Sequence, residues 1–175
     1  MYEDGGGFSI DCGIRMHGRT SRRVSEKKSF TLKFRGRYGG ELGYDVFGDG
    51  IVTDFSSLLL RASVEDTYTS YMRDEFFARI AMDYTDVPAQ NYRYVSLFLN
   101  GEYWGIYGIR EHHSAEYLAS HYGVDAETVD MQTGEFEGQT AWSELLNYAR
   151  YHDLTSAEGW AYIQEHLDVP EMIDW

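Results

Sequence analysis

The dipeptide Asn100-Gly101 separates two runs with alternating apolar and polar residues, 92–99 and 103–109. A two-residue type I′ turn needs positive φ at both central positions. Asn followed by Gly meets that demand with the least strain, so this spacing predicts a β-hairpin. Its arms are seven to eight residues long, which is enough to seed an antiparallel sheet and excludes an all-helical chain.

Other segments read as further strands of that sheet. Residues 9–17 place Ile10, Cys12, Ile14 and Met16 on one face and Asp11, Arg15 and His17 on the other, the pattern of a half-buried strand. Phe30, Leu32 and Phe34 repeat the pattern, and Leu58-Leu59-Leu60, ending at Arg61, reads as a third strand at 58–61. Between the first two lies a polar, basic connector, 18–27; a Gly-rich loop leads towards the third.

From residue 68 to 84 the period becomes helical. Met72, Phe76 and Ile80 recur on one face with Phe77 and Ala81 beside them, while Asp74, Glu75, Arg79 and Asp83 face elsewhere. After the hairpin, helices are predicted over 114–122, ending at Gly123, over 140–152, and over 155–167, the last opened by a capping box of Thr155 and Glu158. Asp168 and Glu171 begin one more helix. Strands therefore dominate the first ~110 residues and helices the rest, an α+β order. Because that last helix is so short at Trp175, and because Gly5-Gly6-Gly7 lead straight into a strand, the chain is expected to belong to a longer protein.

Charge is unevenly spread. The net charge is −14, yet nine of the fifteen Lys and Arg residues fall between Arg15 and Arg37. Concentrating cations on an acidic protein adds repulsion without helping solubility, so the window reads either as a solvated loop or as an anion-binding site. The overall acidity argues against nucleic-acid binding. No apolar run approaches the ~20 residues that span a bilayer. The single cysteine, Cys12, excludes an intramolecular disulfide and reads as a buried thiol.

The motifs in order resemble the CotH kinase family, the spore-coat-protein-H-like atypical protein kinases. They are Ile14-Arg15-Met16-His17-Gly18-Arg19-Thr20-Ser21-Arg22, Lys27-Lys28-Ser29-Phe30-Thr31-Leu32-Lys33-Phe34, Leu59-Leu60-Arg61, Met72-Arg73-Asp74, and residues 97–107 with Arg110-Glu111. Residues 117–125 look like a further family stretch; His17 departs from the family's more usual Arg or Lys. The resemblance implies a protein-kinase-like small lobe over 1–111, a hinge at Arg110-Glu111-His112, and the first helices of a large lobe over 112–175. It implies ATP with Mg²⁺ as cofactors, and transfer of phosphate to Ser or Thr of a protein substrate. It also implies a spore-coat, cell-surface or extracellular setting. The metal-binding and catalytic aspartates are expected beyond Trp175, so these residues alone are expected not to catalyse transfer, and no metal ligand is assigned within them.

Phosphoryl transfer relies on positioning and charge neutralisation, so cations must surround the phosphates. Arg19 and Arg22 in the basic loop are candidates through bidentate contacts. Lys28 is in phase with Phe30 and is the leading candidate lysine; Arg61 competes for the same role, and Lys33, out of phase, is expected to face water. Asp74 and Glu75 are candidate anionic partners of that cation, against the alternative of a surface Glu75–Arg79 pair. Glu111 is a candidate hinge contact to nucleotide. His112, His113 and Glu116 have metal-like spacing but too few ligands. The hairpin aromatics Tyr94, Phe98, Tyr103, Trp104 and Tyr107 read as cross-strand packing. Two other functions fit the residues: a non-catalytic surface or carbohydrate-binding module, suggested by 28 aromatics and strong acidity, and a nucleotide-binding pseudokinase.

Overall fold

A single antiparallel sheet orders the chain. Its strands are β1 (Gly13–His17), β2 (Ser29–Lys33), β3 (Ser57–Arg61), β4 (Tyr92–Leu99) and β5 (Glu102–Glu111), arranged β1-β2-β3-β5-β4. The computed structural model describes residues 2–3, 6–66, 68–131 and 140–174. Helix α1 (Arg73–Tyr84) joins β3 to β4. After β5 come α2 (Ala115–Tyr122), α3 (Thr140–Tyr151), α4 (Ala157–His166) and α5 (Val169–Asp174). Two short ladders are separate from it: Tyr2–Glu3 with Gly6–Gly7 precedes β1, and Leu42–Gly43 with Asp54–Phe55 lies between β2 and β3.

The hairpin forms as the dipeptide requires. Asn100 and Gly101 have φ of 52° and 84°, and a register shift between Leu97 and Phe98 is absorbed opposite by Gly105 at φ 106°. Ser114 caps α2 by accepting the Tyr117 N–H, and Gly123 ends that helix at φ 68°. Helix α4 starts later than expected. Ser156 accepts the Gly159 N–H as its cap, whereas Thr155 bonds to Asp153, which displaces the predicted Thr155–Glu158 box. Asp168 Oδ1 accepts the Glu171 N–H at 3.1 Å, as the sequence predicts.

Cross-strand partners share a face. Met16, Phe30, Leu60 and Ile109 form one row, and Ile14, Leu32 and Leu58 the next. The loop from Phe34 to Phe55 folds over this face, so Phe34, Leu42, Val46, Val52 and Phe55 complete a core with Phe30, Leu58, Leu60, Tyr107 and Ile109. Tyr107 is fully buried, stacks on Phe30 and donates to the Lys28 carbonyl at 2.9 Å.

Two expectations need correction. The first strand begins only at Gly13, and on this edge strand Ile14 and Met16 are 56% and 49% exposed; Ile10 and Cys12, before it, pack against the core instead. The apolar stripe of α1 also points outward. Met72, Phe76 and Phe77 are exposed, while Glu75 is its one buried residue. The helix meets the sheet through Glu75, with half-buried Ala78 and Met82 at i+3 and i+7 on the same stripe.

Candidate functional site

The second face of the sheet is polar. Its rows are Arg15, Thr31, Leu59 and Arg110, then His17, Ser29, Arg61 and Gly108, with Lys33 beside Gly13 and Ser57. Helix α1 lies along this face, and the chain leaving β5 brings His112 over it. The His17 and His112 rings meet edge to face at 6.2 Å, and His17 Nδ1 lies 3.1 Å from the Thr31 hydroxyl.

Two ion pairs bind α1 to neighbouring strands. Asp74 meets Arg61 of β3 at 2.6 Å, and the same guanidinium reaches Glu65 at 3.4 Å. Glu75, 1% exposed, meets Arg110 of β5 at 2.9 Å and accepts from the Tyr94 hydroxyl at 3.3 Å. The predicted carboxylates on this helix thus both find cations. Arg79 pairs with Asp83 and not with Glu75, so the surface i,i+4 alternative for Glu75 is excluded.

The start of α1 is fixed by Asp66. Its carboxylate accepts from the Thr69 and Ser70 hydroxyls and from the Arg73 N–H at 2.9 Å, and it pairs with the Arg73 guanidinium at 3.1 Å. These bonds hold its pKa well below the usual carboxylate range. Tyr71, at φ 64°, turns the chain into the helix just ahead of Asp74.

The electrostatics of the polar face are cationic. Burial lowers the pKa of His17, and Arg61 and Arg15 lower it further. Burial and then Lys33 and His17 do the same to His112, with Glu116 partly opposing. Lys33 is itself lowered, chiefly by burial and then by Arg35. It is half-buried, beside His112 and Glu116, and not in open water as its phase suggested. Three buried nitrogens in this region have no hydrogen-bond partner among the described residues: Arg61 Nε, Arg110 Nε and His112 Nδ1. Buried donors are rarely left unpaired, so these three nitrogens mark where the polar face is least satisfied.

The basic loop behaves differently from its expectation. Ser21–Val24 form one helical turn, and the Lys28 ammonium donates to the Arg22 carbonyl at 3.0 Å and to the Ser25 carbonyl. The carbonyl end of a helical turn is a natural seat for an ammonium, so Lys28 closes the loop. Arg19 and Arg22 are exposed on that loop. Lys27 donates to the Ile106 carbonyl and lies over the Tyr71 and Tyr107 rings.

Glu111 is also occupied. It is 3% exposed; one carboxylate oxygen meets His121 Nε2 at 2.7 Å and the other accepts the Asn91 N–H at 3.0 Å. A cleft of about 340 Å³ opens next to it, lined by Ser57, Glu111, His112, Ser114, Glu116 and Tyr117 among others. His112 borders both this cleft and the polar face. Among the described residues no three His, Cys, Asp or Glu side chains gather in a way that could hold a metal ion. No helix among them is long and apolar enough to cross a membrane. On the hairpin, Phe98 and Tyr103 pair at 5.2 Å but are more than half exposed.

What the sequence reading did not bring together are polar residues from three rows of the second face, Lys33, His17 and Arg110, with His112 beside His17. Their alternation with Phe30, Leu32, Ile14 and Ile109 was the available signal.

The structure is thus an α+β protein with a five-stranded antiparallel sheet and a cationic face beside one helix. The family model described as CotH kinase protein matches residues 14–175, and the chain belongs to the CotH kinase family. Comparison with the curated proteins and with the solved structures gave no match.

Proposed function

We propose that residues 1–111 form the nucleotide-binding lobe of a CotH-type protein kinase, residues 112–175 begin its second lobe, and the polar sheet face binds the phosphates of ATP. The observation that carries this reading is the Arg61–Asp74 pair, a strand cation held by a helix carboxylate close to His17, on the sheet face that also carries Lys33. In protein kinases a cation on a small-lobe strand, paired with a helix carboxylate, holds the nucleotide phosphates. Family membership supports the same role here, as analogy at the level of the fold.

The cleft beside His112 suits the nucleoside end. Glu41, Asp54, Glu111 and Glu116 line it, so a polyphosphate is repelled there, whereas ribose hydroxyls and a base amino group find acceptors. The phosphates then extend towards Lys33 and Arg61. Arg19 and Arg22 would meet them from the loop, and Lys28 would shape that loop without direct contact. Protein Ser or Thr hydroxyls are the proposed acceptors. ATP supplies the phosphoryl group when bound; the residues described bind and orient it.

Titration of the chain with a fluorescent ATP analogue tests this. Saturable binding, competed by ATP and weakened by Lys33→Ala, is expected. Absence of saturable binding, or binding indifferent to Lys33→Ala and Arg61→Ala, overturns the proposal.

A further inference from the structure

The apolar stripe of α1 faces away from the sheet, so hydrophobic burial does not fix the rotation of this helix. A buried carboxylate occupies that position. Glu75 reaches across the sheet to Arg110, which also donates to Gln90 at 3.3 Å, and Tyr94 closes the other oxygen of the carboxylate. The sheet makes room for it: a Cβ on Gly108 would stand 2.8 Å from Glu75 Oε1. Successive residues on a helix point about 100° apart, so Asp74 can meet β3 while Glu75 meets β5 at only one helix rotation.

We infer that Glu75 is a positioning residue that pins α1 through Arg110 and thereby presents Asp74 to Arg61 before any ligand arrives. The inference rests on the nucleotide reading above for its consequence, but not for its geometry. A helix pinned in this way does not need to swing inward for the cationic face to assemble. Glu75 acts through Asp74, so its removal should affect the site only as far as Asp74 does.

The test is a double-mutant cycle on the full chain with two readouts. Hydrogen exchange of the α1 amides, without nucleotide, reports the pin. Glu75→Gln is expected to speed exchange over 73–84 by about tenfold and to leave β2 and β3 unchanged. Binding of the fluorescent ATP analogue reports the consequence. Asp74→Asn is expected to weaken it about five- to tenfold in the wild-type background and less than about twofold in the Glu75→Gln background. Unchanged α1 exchange, or fully multiplicative effects on binding, overturns the inference. If Glu75→Gln does not fold, Gly108→Ala replaces it, crowding the carboxylate without removing a charge, and the same two signatures are required. If the wild-type chain binds no nucleotide, the functional reading fails by itself and the exchange measurement alone decides whether Glu75 pins the helix.

Discussion

The two faces of the sheet are made from the same strands and have opposite chemistry. One buries Phe30, Leu58, Leu60, Tyr107 and Ile109 under the 34–55 loop; the other carries His17, Lys33, Arg61 and Arg110 beneath α1 and His112. Apolar burial is non-directional and scales with area, so the first face supplies stability. Ion pairs on the second face are directional and add little net stability, and that face is the one proposed to bind nucleotide. The difference teaches that stability and ligand binding should respond to separate substitutions, even at neighbouring residues of one strand.

The sharpest way to break that separation lies at Leu58 and its neighbours. Leu58 is fully buried at the centre of the apolar face. Leu58→Ala should cost about 3 kcal/mol, within the usual range for such truncations, seen as a lower urea midpoint. Nucleotide affinity of the fraction that stays folded should be unchanged. A parallel loss of affinity would show that the two faces are not independent.

Lys33 provides the opposite case, one row along from Leu32. Lys33 is half-buried on the polar face, opposite Gly13 and Ser57. Lys33→Ala should leave the unfolding free energy, from urea titration, within about 0.5 kcal/mol of wild type. It should weaken the ATP analogue about tenfold or more, as removal of a charged phosphate contact does. Lys28→Ala sharpens the contrast. Because Lys28 holds the carbonyls of the Ser21–Val24 turn, its loss should loosen that turn and reduce affinity only about two- to threefold. If Lys28→Ala exceeds Lys33→Ala, the phosphate site belongs to the loop and the original sequence expectation stands.

Local signals in the sequence were legible wherever the physics was local. Asn100-Gly101 set the hairpin, Ser114 and Gly123 set the ends of α2, and Asp74 and Glu75 were picked out as paired carboxylates, although Lys28 was preferred to Arg61 as their cation. What failed was the inference from phase to burial. Lys33 is out of phase with the core, but the other face is covered by residues 112–116, eighty positions away, which no local pattern reveals. Met72, Phe76 and Ile80 form a proper amphipathic stripe, yet a single buried Glu75–Arg110 pair turns that stripe outward. Ile14 and Met16 alternate correctly but lie on an edge strand, where one flank has no neighbour to bury them. Lys28 was assigned by phase, and the helical turn that captures its ammonium exists only after the loop has folded.

The smallest expected effect comes from pH, and its sign follows from the histidines of the polar face. His17 and His112 titrate below their ordinary value in the folded chain, through burial first and then through Arg61 for His17 and Lys33 for His112. The unfolded chain therefore binds protons near pH 6.5 that the folded chain still refuses. Above that pH both states hold neutral imidazoles and the difference vanishes. As pH falls below ~6.5 towards the folded values, the unfolded state binds more protons and stability declines. An anion bound at this face, as proposed, would offset the positive field and raise both histidines, so binding at about pH 6 should be accompanied by proton uptake. Urea midpoints from pH 5 to 8, with and without His17→Asn and His112→Asn, measure the first effect. Calorimetry in two buffers of different ionisation enthalpy measures the second, with the contribution of the nucleotide's own phosphate removed by comparing wild type with the double variant. A midpoint profile identical in the double variant would mean that the polar face carries no excess positive potential, and the contrast between the two faces would reduce to packing alone.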